Sequence, residues 1–332
     1  MTKTTNIWTR TVALIVFSLL PLLQGSVLLA QSPRKLESVT LGLSAKHVLN
    51  LPIYLAQRYG IFDSEGFDYK PITTKTNTAI AALVSGDLDY ITAFNSGLGA
   101  AIGGAPLVAT YVSTDKSLLY LISRPDIKDA KTLRGGIIGH GGTRGSHYHA
   151  TVAMVKHLGL DADKDVKLIS TIDVTQGMIA LLSGSVAATT LTPPYDSIAV
   201  RKGYNRLVLG PEVLPRFVEN GLVLRRAKLR DNPDQVRRFL RAMIRGLHYA
   251  MDHPNDAIAL IQKEWNLDRE TAQTAYDAAM PTYNLRGEVS DELIAASIKR
   301  AQLDAKITQS NFAPKDFVDW ITVRAIVREA KR

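Results

Sequence analysis

The hydrophobic pattern between residues 39 and 223 alternates short apolar runs with helical stretches that end at glycine. Residues 39–43 place apolar side chains at alternate positions, and residues 67–72 alternate apolar and polar positions after a helical stretch that ends at Gly60. Alternation with period two is typical of a strand, and a glycine commonly ends a helix. The repeated order of strand, loop, helix, strand, helix and strand predicts largely parallel sheets with helices on both faces.

This order occurs twice along the chain. Residues 80–90 match residues 178–188, and Gly60 matches Gly159, which lies 99 positions later. Shared composition could explain one short match, but two matches in the same order at a nearly constant offset indicate an internal duplication. The duplication predicts two α/β lobes with a ligand cleft between them.

Two apolar segments are placed to connect the lobes. Residues 117–123 lead from the first half to the second, and residues 220–224 lead back. Two crossing strands of this kind form a hinge, the arrangement used for domain closure around ligands. We expect lobe 1 to comprise residues 35–120 and 223–332, and lobe 2 to comprise residues 124–219.

The chain after Arg230 is predicted to be helical. Asn232 is a candidate cap, Pro233 suits the first helical position, and a buried stripe repeats at helical spacing: Val236, Phe239, Leu240, Met243, Ile244 and Leu247. Four arginines fall mostly off that stripe: Arg237, Arg238, Arg241 and Arg245. They indicate a solvated helix face, because no aromatic residues alternate with them as in a nucleic-acid site.

The first 31 residues resemble a secretory signal peptide. Lys3 and Arg10 precede an apolar segment, and a small residue, Ala30, follows at a candidate cleavage site. A retained membrane anchor is the alternative, since the segment is nearly long enough to span a bilayer. Pro21 and Gly25 interrupt it, so we expect cleavage and a periplasmic protein.

The composition of the chain excludes several kinds of chemistry. The chain has 332 residues and no cysteine, which excludes disulfides, thiolate zinc sites, cysteine nucleophiles and a cysteine-linked lipid. The formal net charge of +9 does not by itself select nucleic acid, a membrane surface or an anionic ligand. Phosphate-loop and dinucleotide motifs are also missing, so no cofactor is predicted.

The candidate ligand-binding residues follow the predicted strands, because ligands of open α/β sheets lie beyond the carboxyl ends of the strands. In lobe 1 the candidates are His47, Asn50, Asn95 and Ser96, with Ser44 and Lys46 nearby. Asn95 and Ser96 could instead cap the next helix.

The strongest candidate in lobe 2 is the glycine-rich loop 139–146, which contributes Gly142, Thr143, Arg144 and Ser146. Arg144 can hold a carboxylate or sulfonate through two hydrogen bonds, and the following helix start adds positive potential. The alternative is a flexible loop with Arg144 in solvent.

Three histidines near this loop raise the question of a metal site. His147 and His149 are two apart in a predicted helix, so they point to different sides, and no carboxylate pair accompanies them or His140. We predict no metal site and expect at most one of these histidines to contact the ligand.

The sequence resembles the periplasmic substrate-binding proteins of ABC importers, in the family that binds nitrate, sulfonates, taurine and thiamine precursors. The resemblance rests on residues 52–56, 59–62, 66–67, 82–89 and 131–135. It implies a two-lobed periplasmic binding protein of type II that is a monomer, binds no nucleic acid and delivers its ligand to an ABC permease in the inner membrane.

One departure from the family bears on the ligand. Many relatives carry an aromatic residue, a glutamate and a proline in the loop where this chain has Thr192, two prolines and Tyr195. The missing acid favours a neutral or anionic ligand, such as a sulfonate, a carboxylate or a pyrimidine-like molecule, and Thr192 and Tyr195 join the candidate site.

Two other functions remain open at this point. The family shares its fold with the yeast pyrimidine-precursor synthase, so an enzyme is one alternative, although no nucleophile elbow or zinc-protease motif is present. A ligand sensor for a membrane receptor is the other. We expect a binding protein rather than an enzyme.

Overall fold

The computed structural model describes residues 35–43, 45–142, 145–308 and 311–329. The expected signal peptide, residues 1–31, lies outside this part of the chain. The elements described below all belong to one compact unit, Leu36–Arg332.

The first sheet is formed mainly by the N-terminal third of the chain. In order, its elements are β1 (Glu37–Leu43), α1 (Leu51–Arg58), α2 (Ile61–Ser64), β2 (Phe67–Thr73), α3 (Thr76–Ser85), β3 (Tyr90–Ile91), α4 (Phe94–Ile102) and β4 (Leu107–Thr114).

The second sheet uses the middle of the chain. Its elements are β5 (Tyr120–Ser123), α5 (Ala130–Leu133), β6 (Ile137–His140), α6 (Ser146–His157), β7 (Lys167–Ser170), α7 (Val174–Leu182), β8 (Ala188–Leu191), α8 (Tyr195–Arg201), β9 (Asn205–Leu209) and α9 (Gly210–Val213).

The chain then returns to the first sheet and continues as helices. These elements are β10 (Asn220–Arg225), α10 (Arg226–Asp231), α11 (Pro233–Asp252), α12 (Pro254–Trp265), α13 (Arg269–Ala279), α14 (Asp291–Ala305) and α15 (Ile321–Glu329). The helical region expected after Arg230 is therefore confirmed.

The two sheets share one topology. Their strand orders are β2-β1-β3-β10-β4 and β7-β6-β8-β5-β9. In each sheet the first three strands are parallel, whereas the fourth, β10 or β5, is antiparallel to its neighbours. We call the half built on the first sheet lobe 1 and the half built on the second lobe 2.

The backbone of the repeat agrees with the duplication. Gly60 and Gly159 both have left-handed φ values, of 65° and 75°, and so do Gly86 and Gly184, at 100° and 76°. Glycine adopts this conformation without the steric penalty that a side chain adds. The matched glycines therefore end equivalent helices in the two lobes.

The chain crosses between the lobes just before each antiparallel strand. Strand β4 ends at Thr114 in lobe 1 and β5 begins at Tyr120 in lobe 2, while the return reaches β10 at Asn220. The two crossings are hydrogen-bonded to each other, from Phe217 N to Asp115 O at 2.9 Å and from Glu219 N to Thr114 O at 3.0 Å. This paired backbone is a two-stranded hinge.

The long helix α11 covers one face of lobe 1. Every residue of the predicted stripe is buried, and the Phe239 ring stacks on Tyr90 with 4.0 Å between centroids. Asn232 stands at the start of the helix, but its side chain makes no capping hydrogen bond. The helix instead begins with Pro233 at the first helical position, where a missing N–H removes no intrahelical hydrogen bond.

The four α11 arginines lie on a partly exposed helix face, with side chains 18–47% exposed, and each is also paired with an acid. Arg241 and Arg245 both pair with Glu65, whose side chain is only 6% exposed, and Arg238 pairs with Glu37. Periodicity shows which helix face is apolar, but it does not show that a buried acid from the turn after α2 lies beside the polar edge.

The helices α12 and α13 contact both lobes. One hydrophobic cluster joins Leu51 and Leu55 of lobe 1, Leu181 and Leu191 of lobe 2, and buried residues of α11, α12 and α13. Within the described ranges, none of the helices combines the length and apolar character needed to cross a membrane.

Candidate functional site

A small cavity lies where loops of the two lobes meet. Its volume is about 60 Å³, and both halves of the duplication line it. Four helices begin at its wall, because α3, α4, α6 and α7 each follow a strand or loop at the carboxyl edge of a sheet.

The lobes touch at the cavity, so this is a closed conformation. Asn95 of α4 donates from Nδ2 to Ser146 Oγ of α6 at 2.9 Å and to Val218 O at 2.6 Å. Ser146 Oγ in turn donates to Glu219 O at 2.9 Å. This chain of hydrogen bonds connects lobe 1, lobe 2 and the return crossing.

The loops of the two lobes also approach closely at Gly145. A Cβ on Gly145 of lobe 2 would lie 2.6 Å from Ser96 Oγ of lobe 1, whereas the Ser96 Cβ is 3.9 Å away. A side chain at Gly145 would therefore require the Ser96 hydroxyl to rotate away.

The lining contains buried polar atoms that lack a partner within the described residues. They are Nδ1 of His47, Oγ1 of Thr92, Nδ1 of His147 and Oε2 of Glu219. A buried polar group without a hydrogen bond costs about 1–3 kcal/mol, so native proteins leave few of them. Four such atoms around one cavity can form hydrogen bonds with water or with a bound molecule.

Burial favours the neutral forms of three ionisable side chains of the cavity, Glu219, His47 and His147. Burial raises the pKa of Glu219 to about 8, opposed by a hydrogen bond from Ser117. Burial lowers the pKa of His47 to about 4. Burial, with smaller contributions from His47 and His140, lowers the pKa of His147 to about 3.

Three helix starts add positive potential. The helices α3, α4 and α6 begin at the cavity, and none has a side-chain hydrogen bond at its cap. No side chain occupies their first amides, although Phe94 N of α4 donates to Thr92 O at 2.9 Å. Asp173, by contrast, accepts from Gln176 N at 2.9 Å and so caps α7. Uncapped helix starts attract negative charge. With Glu219 protonated, the described lining suits an anionic or electron-rich group.

Half of the ten predicted site residues line the cavity: His47, Asn95, Ser96, Gly142 and Ser146. Thr143 and Arg144 lie outside the described residues, as does Ser44, so their place in the site stays a prediction. Lys46 pairs instead with Glu264 at 2.8 Å.

Three predicted residues, Asn50, Thr192 and Tyr195, do not line this cavity. Asn50 is fully buried, donates to Ala45 O and accepts from Asn220, so its amide holds the loop. The Tyr195 hydroxyl lies 3.1 Å from Thr175 Oγ1. Thr192 is completely buried at the end of β8. The loop after β8 packs into the protein interior, whereas the loops after β1, β3 and β6 face the other lobe.

Sequence reasoning missed several lining residues, above all Glu219, Thr92 and Thr76. Glu219 follows the apolar pair Phe217 and Val218 directly before β10, and an acid beside buried apolar residues is a signal that sequence reasoning can use. His149, by contrast, turns away from the cavity and pairs with Asp304 of α14 at 3.1 Å. The structure thus separates His147 from His149, as their spacing predicted.

The described residues contain no cluster of three or more histidine, aspartate or glutamate side chains placed to hold a metal ion.

A two-lobed α/β protein with a polar cavity where its lobes meet has the architecture of a periplasmic binding protein. The family described as NMT1/THI5 like matches residues 49–257, so the chain belongs to that family.

Two curated relatives were found by sequence. The chain is 27% identical over 233 residues to the riboflavin-binding protein RibY of Chloroflexus aurantiacus, and 22% identical over 205 residues to a proposed aliphatic sulfonates-binding protein of Bacillus subtilis. These matches cover 68% and 61% of this chain and 66% and 60% of the two relatives.

Solved structures share the fold at low identity. The alkanesulfonate-binding protein SsuA of Xanthomonas axonopodis pv. citri, bound to MOPS, has a TM-score of 0.71 and 14% identity, over 85% of this chain and 98% of that one. The desulfurization enzyme DSZB has a TM-score of 0.63 and 15% identity, over 89% of this chain and 99% of that one.

Proposed function

We propose that this protein is the solute-binding component of an ABC-type importer. In this proposal it works in the periplasm as a monomer, closes its lobes around a small organic anion and delivers it to a membrane permease. The observation that carries the proposal is the cavity where the lobes meet. It is lined by buried polar atoms that have no hydrogen-bond partner among the described residues. The family and the names of the relatives support the same conclusion.

The charge of the site favours an anionic head group, such as a sulfonate or carboxylate. Three uncapped helix starts face the cavity, and the protonated Glu219 carboxyl can donate a hydrogen bond to an oxygen of the ligand. Arg144, expected in the same loop as Gly142, would add a positive charge. A neutral pyrimidine-like ligand remains the alternative, since a carboxyl group and neutral imidazoles can both donate and accept.

A thermal-shift screen of the purified protein tests this proposal, because a ligand that binds only the folded form raises its apparent stability. The compounds are short sulfonates, carboxylates, nitrate, pyrimidines and riboflavin. We expect stabilisation by sulfonates or carboxylates and a weaker effect in Arg144→Ala. Stabilisation by pyrimidines or riboflavin alone would overturn the anionic head group, and no stabilisation by any compound would count against ligand capture.

An enzyme is the second candidate, and one observation favours it. A buried carboxyl with a raised pKa beside neutral histidines is an arrangement that catalytic sites use for proton transfer. The fold shared with DSZB is compatible with this reading, but the chain has no cysteine to act as a nucleophile. Turnover of any compound that binds, followed by mass spectrometry, would establish the enzyme.

A further inference from the structure

The two lobes differ by one residue at the edge of the cavity. Strands β2 and β7 end at Thr73 and Ser170, which are 97 positions apart, and each end pairs with the last residue of the preceding strand. The next helices, α3 and α7, begin at Thr76 and Val174, which are 98 positions apart. Lobe 2 therefore has one more residue than lobe 1 between this strand and this helix.

Ile172 is the additional residue. Thr74 in lobe 1 and Thr171 in lobe 2 both donate their N–H to the end of the neighbouring strand. The N-cap of α3, Lys75, follows Thr74 directly. In lobe 2, by contrast, Ile172 lies between Thr171 and Asp173, the N-cap of α7. The inserted residue is also part of the cavity wall.

The insertion adopts a backbone conformation that an isoleucine side chain disfavours. Ile172 has a φ of 68°, and Asp173 N donates to Thr171 O at 2.7 Å, which closes a γ-turn around Ile172. A γ-turn with positive φ is the rare and strained form. Glycine or asparagine would fit this turn with less strain than a β-branched residue. The strain therefore requires a compensating gain from the isoleucine side chain itself.

The interior of the protein does not supply that gain. The Ile172 side chain is 46% exposed and belongs to no hydrophobic cluster of the described residues, whereas Leu49 and Val174 of the same cavity wall are buried. The Ile172 backbone does hold the glycine-rich loop, because its carbonyl accepts from Gly142 N at 2.9 Å. Any residue at this position can form that hydrogen bond, so the bond does not explain isoleucine.

We propose that Ile172 is a specificity-determining residue, whose side chain contacts the bound ligand and selects against anions that present oxygen on every side. This rests on the proposed function, in which the cavity closes around an organic anion. The buried polar atoms of the lining can form hydrogen bonds with oxygens at one end of the ligand. The isoleucine side chain offers none, so an oxygen placed against it would lose water without a replacement.

The binding test compares methanesulfonate with sulfate, which has a fourth oxygen in place of the methyl group. Isothermal titration calorimetry gives the dissociation constants for the wild type, Ile172→Asn and Ile172→Val. We expect Ile172→Asn to weaken methanesulfonate binding about tenfold through lost apolar contact, but not to weaken sulfate binding, because the amide can donate to the fourth oxygen. Ile172→Val removes one methylene and should weaken methanesulfonate binding by at most about fourfold.

The stability of the ligand-free protein is a second measurement, and it does not depend on the proposed function. Asparagine tolerates the left-handed region better than isoleucine, so Ile172→Asn should raise the midpoint of thermal unfolding by about 2–4 °C. The matched control is Ile179→Asn, the same exchange at a position of α7 that is 53% exposed. It should not raise the midpoint, and it should leave the preference for methanesulfonate over sulfate unchanged.

The outcomes separate this proposal from the one beneath it. If Ile172→Asn leaves methanesulfonate binding unchanged, or weakens both anions by equal factors, the specificity role is wrong while anion capture stands. A lower midpoint of unfolding in Ile172→Asn would show that isoleucine serves stability, which also overturns the proposal. If the wild type binds no sulfonate and no carboxylate, anion capture fails and the role of Ile172 fails with it.

Discussion

Glu219 is the residue that most directly links the chemistry of the cavity to its surroundings. Its carboxyl is buried, it lies beside three helix starts, and one of its oxygens has no partner within the described residues. A protonated carboxyl can donate to an anion, whereas an ionised carboxylate repels it. The protonation of this single side chain should therefore control capture.

We predict that affinity for a bound sulfonate falls above pH 8. Burial raises the pKa of Glu219 to about 8, so above that pH binding requires the uptake of one proton. Uptake of one proton lowers the affinity about tenfold for each further pH unit. Calorimetric titrations between pH 6 and 9.5 measure this. Glu219→Gln keeps a hydrogen-bond donor but does not titrate, so its affinity should not change with pH in this range. An unchanged dependence of affinity on pH in that variant would show that another group is responsible.

The same residues predict how the stability of the ligand-free protein depends on pH. His47 and His147 have lowered pKa values in the folded protein, so the unfolded chain takes up their protons first. The free energy of unfolding therefore falls as the pH falls below 6.5 towards 4. Glu219 has a raised pKa, so its contribution is lost as the pH rises from 4.5 to about 8. As the pH falls below 6.5, the two histidines lower the free energy of unfolding while Glu219 raises it. Of these three groups, only Glu219 changes the stability between pH 6.5 and 8.

The free energy of unfolding should therefore peak near pH 6.5 and fall by up to about 1.4 kcal/mol per pH unit on either side. Urea unfolding at pH 5, 6.5 and 8 measures the peak. Glu219→Gln should remove the decline between pH 6.5 and 8 and leave the acid side falling. A decline of wild-type size in the variant at pH 8 would contradict this account.

At the scale of elements, α11 is fixed to lobe 1 by more than its apolar stripe. Arg241 and Arg245 converge on the buried carboxylate of Glu65, and these partners hold the pKa of Glu65 below its usual value although burial opposes them. A buried acid with two guanidinium partners anchors the helix to the turn between α2 and β2.

We predict that Glu65→Ala lowers the free energy of unfolding by about 1–3 kcal/mol, because two arginines lose a buried partner. The arginines are partly exposed, so water compensates some of the loss. The control is Glu329→Ala, which removes the more exposed partner of Arg237 and should change stability by less than about 1 kcal/mol. Equal effects of the two variants in urea titrations would show that burial of Glu65 contributes nothing.

At the scale of the whole molecule, the structure is a closed form held by contacts between the lobes. The hinge is the hydrogen-bonded pair of crossings, and the bond from Asn95 to Ser146 lies at the cavity. Since α12 and α13 pack on both lobes, opening must also shift that shared hydrophobic cluster.

We predict that ligand narrows the distribution of distances between the lobes. The chain has no cysteine, so Lys70→Cys in lobe 1 and Lys131→Cys in lobe 2 allow two spin labels at exposed positions without a background. Adding Asn95→Ala should move the ligand-free population towards the open form by about fivefold, the value of one hydrogen bond of about 1 kcal/mol. An identical distribution with and without ligand would argue against capture by closure.

The sequence by itself determined the duplication, the order of elements and the buried stripe of α11. These follow from local rules, because apolar periodicity and helix-ending glycines such as Gly60 and Gly159 depend on near neighbours in the chain. It also placed the site at the loops after the strands, and His47, Asn95, Ser96, Gly142 and Ser146 line the cavity as that rule predicts.

Only the tertiary structure decided which polar residues face the cavity and which are internal supports. Asn50 and Glu219 are both buried polar residues near the hinge, but one finds its partners within the protein and the other does not. The pairing of the α11 arginines with Glu65, and of His149 with Asp304, joins residues far apart in sequence. Contacts of this kind depend on how whole elements pack, and no local pattern of residues encodes them.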